Sequence, residues 1–310
     1  MHPAFSVLFL TTLLGAGQGL FLALFAAEVA ASIGIGPAPG REFLAVGGGV
    51  ALAFGGLGLI ASIFHIGHPE RGWRAMARWR TSWLSRELIA LPLFMAGLFA
   101  WVVAQFMLPT ATLLLGAVTA VLCVALFICT GMIYACLRLL QEWATPLTPI
   151  NYLLLGCASG ATLAAACAAV MGSPLTGAFV RAAIALTVAG AIMHVAALVR
   201  NRRLRPRTTL QSAIGIPHPR IRQTAQGMMG GSFNTREFFH GATPQKMTAI
   251  KWGFLLGAFA LPIALLVLGP AAPAALVAAF VVQYAGLLAE RWYFFADANH
   301  PQNLYYQAIS

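Results

Sequence analysis

Charge is what this 310-residue sequence has least of: Asp, Glu, Lys and Arg together make up 9% of it, against about 25% in ordinary soluble domains. That shortage excludes a soluble globular fold, and hydrophobic residues at 60% with a mean hydropathy of +0.81 say the same. Acids are scarcer than bases, eight against 19, so the net charge is +11. In a soluble chain this balance would suggest nucleic acid. In a membrane chain the basic residues are first topology determinants and docking surface, and no nucleic-acid partner is expected.

Other absences narrow the function. The five cysteines (Cys123, Cys129, Cys136, Cys157 and Cys167) all lie in apolar runs, with no CxxC pair and no secretory disulfide pattern, which leaves packing as their role. The start Met1-His2-Pro3-Ala4-Phe5 lacks a basic n-region and a cleavage site, so the first apolar stretch is expected to be a retained helix. There is no cluster with metal-ligand spacing, no Gly-rich phosphate loop preceding a lysine, and no Ser/His/Asp set. The sequence also shows no internal repeat and no pair of interrupted helices in corresponding halves, the usual pointers to a secondary transporter, which is the alternative class.

What is present is a series of apolar runs. A membrane helix needs about 20 mostly apolar residues, and eight such runs stand at roughly 5–30, 43–64, 87–107, 111–138, 151–171, 177–199, 249–268 and 272–294. The expected fold is all-α, one polytopic membrane domain over 1–310 with eight transmembrane helices. Eight crossings place both termini on one side, with the connections 65–86, 139–150 and 200–248. Of the 19 basic residues only Arg41 and Arg181 fall on the other side. By the positive-inside rule the termini and both long connections are expected in the cytoplasm.

The two long connections differ in character. In 65–86, a helix over 71–80 would put Arg71, Arg74 and Arg78 on one face and turn Trp73, Met76 and Trp83 toward the bilayer, as in an amphipathic segment lying on the interface. The connection 200–248 is basic and rich in Gly and Pro, with Arg200, Arg202, Arg203, Arg205 and Arg207 nearly contiguous. It reads as a lipid-surface strip, a linker or a landing pad for a soluble partner, and so long a connection favours the landing pad.

Polar groups at membrane depth are costly and therefore informative. His65 ends the second run and Glu87 opens the third, so the two can meet at one depth beside the bilayer surface. An imidazole and a carboxylate there could bind the two oxygens of a quinone and exchange its protons, with Arg71 or Arg86 stabilising the anion of a half-reduced ring or holding Glu87 ionised. The alternative is ordinary helix-end electrostatics: a cation at a C-terminus and an anion at an N-terminus. Glu28 and Gln18 share the first helix, Glu28 being expected to pair with Arg41 or Arg181, and no acids in series on other helices mark a proton pathway. His65 and His194 share a depth that bis-His haem would require, but two histidines among many helices are too little to imply it, and no haem is expected. The glycines Gly15, Gly19, Gly47–Gly49, Gly55, Gly56 and Gly58 permit close helix packing or room for a flat ring.

The segment Ala61-Ser62-Ile63-Phe64-His65-Ile66-Gly67-His68-Pro69-Glu70-Arg71-Gly72, followed by Ser82-Trp83-Leu84-Ser85-Arg86-Glu87, resembles the membrane anchor subunits of the dimethyl sulfoxide reductase family of molybdoenzymes. Chain length and helix number match along the whole sequence. The resemblance implies a quinone site (ubiquinone or menaquinone) on this chain, made by His65 and Glu87 and lined by Gly67, Arg71 and Arg86. It also implies electron exchange with a ferredoxin-like iron–sulfur subunit that is itself linked to a molybdopterin catalytic subunit, those cofactors residing in the partners and no metal in this chain. The segments Asn234-Thr235-Arg236-Glu237-Phe238-Phe239-His240 and Glu290-Arg291-Trp292-Tyr293-Phe294-Phe295 to Asn299-His300-Pro301 resemble the branch that anchors cytoplasm-facing sulfite dehydrogenases. Quinone reduction driven by sulfite is the expected direction, and a quinol-oxidising anchor of a sulfur-compound reductase is the alternative.

Overall fold

The computed structural model describes residues 1–64, 68–107, 112–225, 239–269, 272–301 and 303. Eight of its helices are long and apolar enough to cross a membrane: α1 (Phe5–Ser32), α2 (Arg41–Ile63), α3 (Trp83–Met107), α4 (Thr112–Ala135), α5 (Leu147–Val170), α6 (Thr176–Arg202), α8 (Pro244–Leu268) and α9 (Pro273–Ala296). A five-residue helix, α7 (Leu210–Ile214), lies in the long connection, started by the Thr209/Ser212 capping box and stopped by Gly215 at φ +76°. Among the described residues there is no strand.

Helices α1 and α5 form the centre. Helices α2, α3 and α4 flank them on one side and α6, α8 and α9 on the other. Two glycine pairs make the central contact. A Cβ on Gly19 would lie 2.0 Å from the carbonyl oxygen of Gly156, and one on Gly160 would lie 2.0 Å from the carbonyl carbon of Gly19. The two backbones therefore touch, through a four-residue spacing of glycines on each helix. Most of the remaining glycines that the sequence left open between packing and ligand room pack: Gly47 lies under Leu24, Gly48 under Trp101 and Val102, and Gly55 under Met95. Gly49 and Gly56 face open space.

The outward faces carry Phe99, Phe106, Leu114, Val121, Ile192 and Leu268, all exposed, as lipid contact demands. Inside, polar groups are partnered across helices. Gln18 donates to the carbonyl of Cys123 (3.0 Å), and the Cys123 thiol returns a bond to the carbonyl of Gln18 (3.6 Å). Glu28 departs from its expected pairing with Arg41 or Arg181. Its two oxygens accept from Trp101 Nε1 (3.1 Å) and Gln105 Nε2 (3.2 Å), while Arg41 donates to the carbonyl of Ala104 (3.3 Å). Neutral donors on α3 reach the carboxylate without a second charge having to leave water.

Helix α8 contains a π-helical turn, Leu256–Ala260, just before Pro262. Pro262 has no N–H to offer the carbonyl of Ala258 one turn earlier, and Gln283 of α9 donates to that carbonyl (3.5 Å) as well as to Thr187 (3.0 Å). The bundle is closed at the face where the chain begins. There the Met1 amine donates to the carbonyls of Ala296 and Ala298, Trp143 Nε1 donates to the carbonyl of Phe294 (3.0 Å), and Arg200 donates to that of Gln141 (3.1 Å). This end of the bundle is called the Met1 face below.

Because Cβ atoms at the central contact would overlap backbone, Gly160→Ala should lower stability by about 1–3 kcal/mol or more, and Gly160→Leu should prevent a folded bundle. Thermal unfolding of the detergent-solubilised protein, with Gly49→Ala as a control facing open space, measures both.

Candidate functional site

The third apolar run begins as a helix four residues earlier than its composition predicts, at Trp83 instead of 87. Ser82 starts it, its hydroxyl accepting from the N–H of Ser85 (3.4 Å) and its carbonyl from that of Arg86 (3.3 Å). Charged residues at 86 and 87 concealed this start, since an apolar-run criterion excludes them although a helix passes through the headgroup layer. The shift matters for chemistry. Glu87 stands in the second turn of α3 and turns inward, where the hydroxyl of Thr130 on α4 donates to its Oε1.

Arg86, one residue earlier, points the other way. It donates through Nε to the carbonyl of Trp79 (2.8 Å) and through Nη2 to that of Arg80 (2.9 Å), and its guanidinium lies 4.2 Å from the Trp83 ring. It ties the interfacial connection to α3. That connection holds a 3₁₀ helix, Pro69–Arg78, instead of the expected α-helix over 71–80. With three residues per turn, Trp73, Met76 and Trp79 align in one row and Arg71 with Arg74 in another, so Arg78 leaves the row that α-helical spacing gave it. Trp73 and Trp79 are exposed, and Arg74 and Arg80 stack on them at 5.6 and 5.3 Å. Arg71 is exposed and pairs with Glu70 (3.7 Å), which also meets His68 (3.0 Å). His65 and Gly67 lie outside the described residues.

Behind Glu87 is a narrow cavity of ≈ 20 Å³ lined also by Thr11, Gln18, Thr130, Tyr152 and Arg291. Ligand pockets measure roughly 300–1,000 Å³, so this space suits a single water and not a ring. Glu87 itself is half-buried. Its inner side, bonded by Thr130, faces the polar interior.

That interior contains residues to which the sequence gave no role at the site. Glu290 and Arg291 of α9 are almost fully buried, as is His194 of α6. Arg291 Nη2 stands 3.6 Å from Glu290 Oε2 and its guanidinium 3.7 Å from the Tyr152 ring, while His194 Nδ1 stands 3.6 Å from Glu290 Oε1. The rings of Phe254 and Phe259 hold His194 at 5.2 and 5.9 Å. The expectation that no matching acids on other helices accompany Glu28 and Gln18 of α1 is corrected by Glu290, a buried acid on α9. Its signal was present in the sequence: two ionisable residues inside the last apolar run. The nearby Asp297, just beyond α9, has its carboxyl pushed above its ordinary value by burial, against the pull of a hydrogen bond from Tyr293 and the charges of Lys251, the N-terminal amine and Arg202. Among the described residues no group of three or more His, Cys, Asp or Glu could hold a metal.

The basic strip is divided. Arg200 is engaged with Asn201 (2.8 Å) and with the carbonyls of Gln141 and Ala144. Gln141 also bridges the carbonyl of Arg205 (3.3 Å) and Nε of Arg207 (3.0 Å). The side chains of Arg202, Arg203, Arg205 and Arg207 are exposed on the Met1 face.

Two comparisons with known proteins match nearly all of the chain. The family model for the DMSO reductase anchor subunit (DmsC) matches residues 1–296. The chain is 50% identical over 325 aligned positions, covering all of both chains, to a sulfite dehydrogenase subunit of Allochromatium vinosum. A full-length family match and half-identity across eight membrane helices place the chain in the DMSO reductase anchor subunit family.

Proposed function

We propose that the chain is the quinone-reactive anchor of a sulfite-oxidising molybdoenzyme complex, receiving electrons from an iron–sulfur subunit and delivering them to the quinone pool. The observation that carries the reading is Glu87: a half-buried carboxylate in the second turn of α3, bonded by Thr130 on its inner side and close in sequence to the Arg/Trp segment that precedes α3. His65 and Glu87 bind the two ring oxygens and exchange protons with them, and Gly67 and Arg71 line the approach. Arg86 supports the site by fixing the connection that bears Arg71 against α3. Identity to a sulfite dehydrogenase subunit supports sulfite as the electron source. Molybdopterin and iron–sulfur clusters belong to the soluble partners.

The charge distribution supports a cytoplasmic Met1 face, with the soluble partners docked there on Arg202, Arg203, Arg205 and Arg207. An impermeant maleimide applied to right-side-out vesicles should label Gly36→Cys and spare Arg203→Cys in a cysteine-free background. The reverse pattern would invert the topology.

Proton exchange by a positioned side chain contributes roughly 10²–10⁴-fold in rate, so Glu87→Gln and His65→Ala should each cut sulfite-dependent quinone reduction by about that range. The dye-linked activity of the attached subunits should survive. Unchanged quinone turnover in both variants rules the site out, and equal loss of both activities signals failed assembly.

If the exposed arginines hold the partners electrostatically, release of the soluble subunits from membranes should rise steeply with salt, because exposed charges are screened over about 8 Å at physiological ionic strength. Retention through high salt would assign the interface to apolar contact instead.

A further inference from the structure

The pair formed by Glu290 and Arg291, with His194 beside it, has no part in the quinone site as described, yet ionisable groups at this depth are costly to keep. Their mutual separations of 3.6 Å exceed a good hydrogen bond. Both nitrogens of His194, Oε2 of Glu290, Nε of Arg291 and the hydroxyl of Tyr152 are buried with no hydrogen-bond partner among the described residues. Buried polar atoms in that condition are ordinarily satisfied by internal water, provided there is room for it. There is room on both sides. The ≈ 20 Å³ cavity behind Glu87 is one compartment, and a cavity of ≈ 40 Å³ lined by His194, Glu290, Asn201, Glu142 and Asp297 is the other. Tyr152 and Arg291 line both cavities and so form the wall between them.

We propose that these two cavities are a hydrated proton relay, joining Glu87 to the aqueous phase on the Met1 face through Glu290 and His194. The proposal rests on the quinone reading of Glu87 and deepens it. Reduction of one quinone to quinol consumes two electrons, supplied by the iron–sulfur subunit, and two protons. Glu87 gives one of these protons to one ring oxygen and His65, as proposed above, gives the other to the second; Glu87 must then regain its proton from water, but a ring seated at its outer side blocks the direct route. The proton enters at Asp297 and reaches His194, whose imidazole accepts on one nitrogen and releases from the other. It passes to Glu290 and then by water to Glu87. Each donor is refilled from the mouth, so no charge is left behind. Arg291 carries no proton in this sequence. Its fixed cation holds Glu290 ionised between transfers and orients the water beside Tyr152, which makes it a positioning residue.

The test uses the assembled complex with Glu290→Gln and His194→Ala. Sulfite-dependent quinone reduction should fall roughly tenfold to a hundredfold with the KM for quinone unchanged. The solvent deuterium isotope effect on kcat should rise, and added imidazole should restore part of the His194→Ala rate. Normal kcat and isotope effect with only a lowered Tm would show a structural clasp between α6 and α9 and overturn the relay. Loss of coupling in Glu87→Gln with both relay variants at the native rate overturns the relay alone, whereas a fully active Glu87→Gln overturns the quinone reading and the relay together. If the variants do not assemble, hydroxyl-radical footprinting of the unaltered complex decides: Tyr152 should be labelled from internal water and the buried Phe94 should not. An unlabelled Tyr152 overturns the proposal.

Discussion

The backbone contact of Gly19 with Gly156 and Gly160 is the constraint on which the rest of this bundle depends. Lipid tails are as apolar as leucine, so membrane helices gain little by hiding apolar side chains from them, and close packing must supply the association. By bringing two backbones together, the glycines place α5 at the centre, in reach of α1, α4, α6 and α9 at once. From that position α5 carries Tyr152 into the wall shared by two cavities while Ser159 lines the one behind Glu87. The site at Glu87 and the buried charges of α9 are neighbours because α5 is thin where α1 crosses it.

The Met1 face is built on the same economy by different means. Several arginines there stack on tryptophans of the interfacial segment or cap backbone carbonyls, as Arg86 does at Trp79 and Arg80 and Arg200 at Gln141 and Ala144. Such contacts leave the guanidinium near water while its stem covers apolar surface. They fix the connection before α3, and with it the direction in which Glu87 turns. What remains exposed beyond Arg200 is a positive surface suited to a soluble partner, consistent with membership of a family of anchor subunits.

Much of the architecture was legible from hydropathy, since each spanning helix satisfies its own backbone and needs only length and apolarity to be seen. Helix ends were legible only where apolarity and helicity stop together. At α3 they do not, because Arg86 and Glu87 belong to a helix that continues into the headgroup layer, and at Pro69–Arg78 a tighter helix realigned the arginines. Glu87 was accessible to sequence reasoning as a carboxylate at a helix start. Its partner Thr130 was not, since a threonine within an apolar run carries no signal until the neighbouring helix is known.

The sequence by itself determined that this chain lives in a membrane, how many of its runs are long and apolar enough to cross, and which end of the bundle gathers the positive charge. Those properties follow from composition along one dimension, set by the thickness of the hydrocarbon layer and the cost of burying charge. Tertiary structure alone decided that Tyr152 and Arg291 line a cavity with Glu87 on one side and a second with Glu290 and His194 on the other, although these residues come from α3, α5, α6 and α9. Proximity across helices depends on which faces turn toward one another, and here the glycine contact of α1 with α5 decides that.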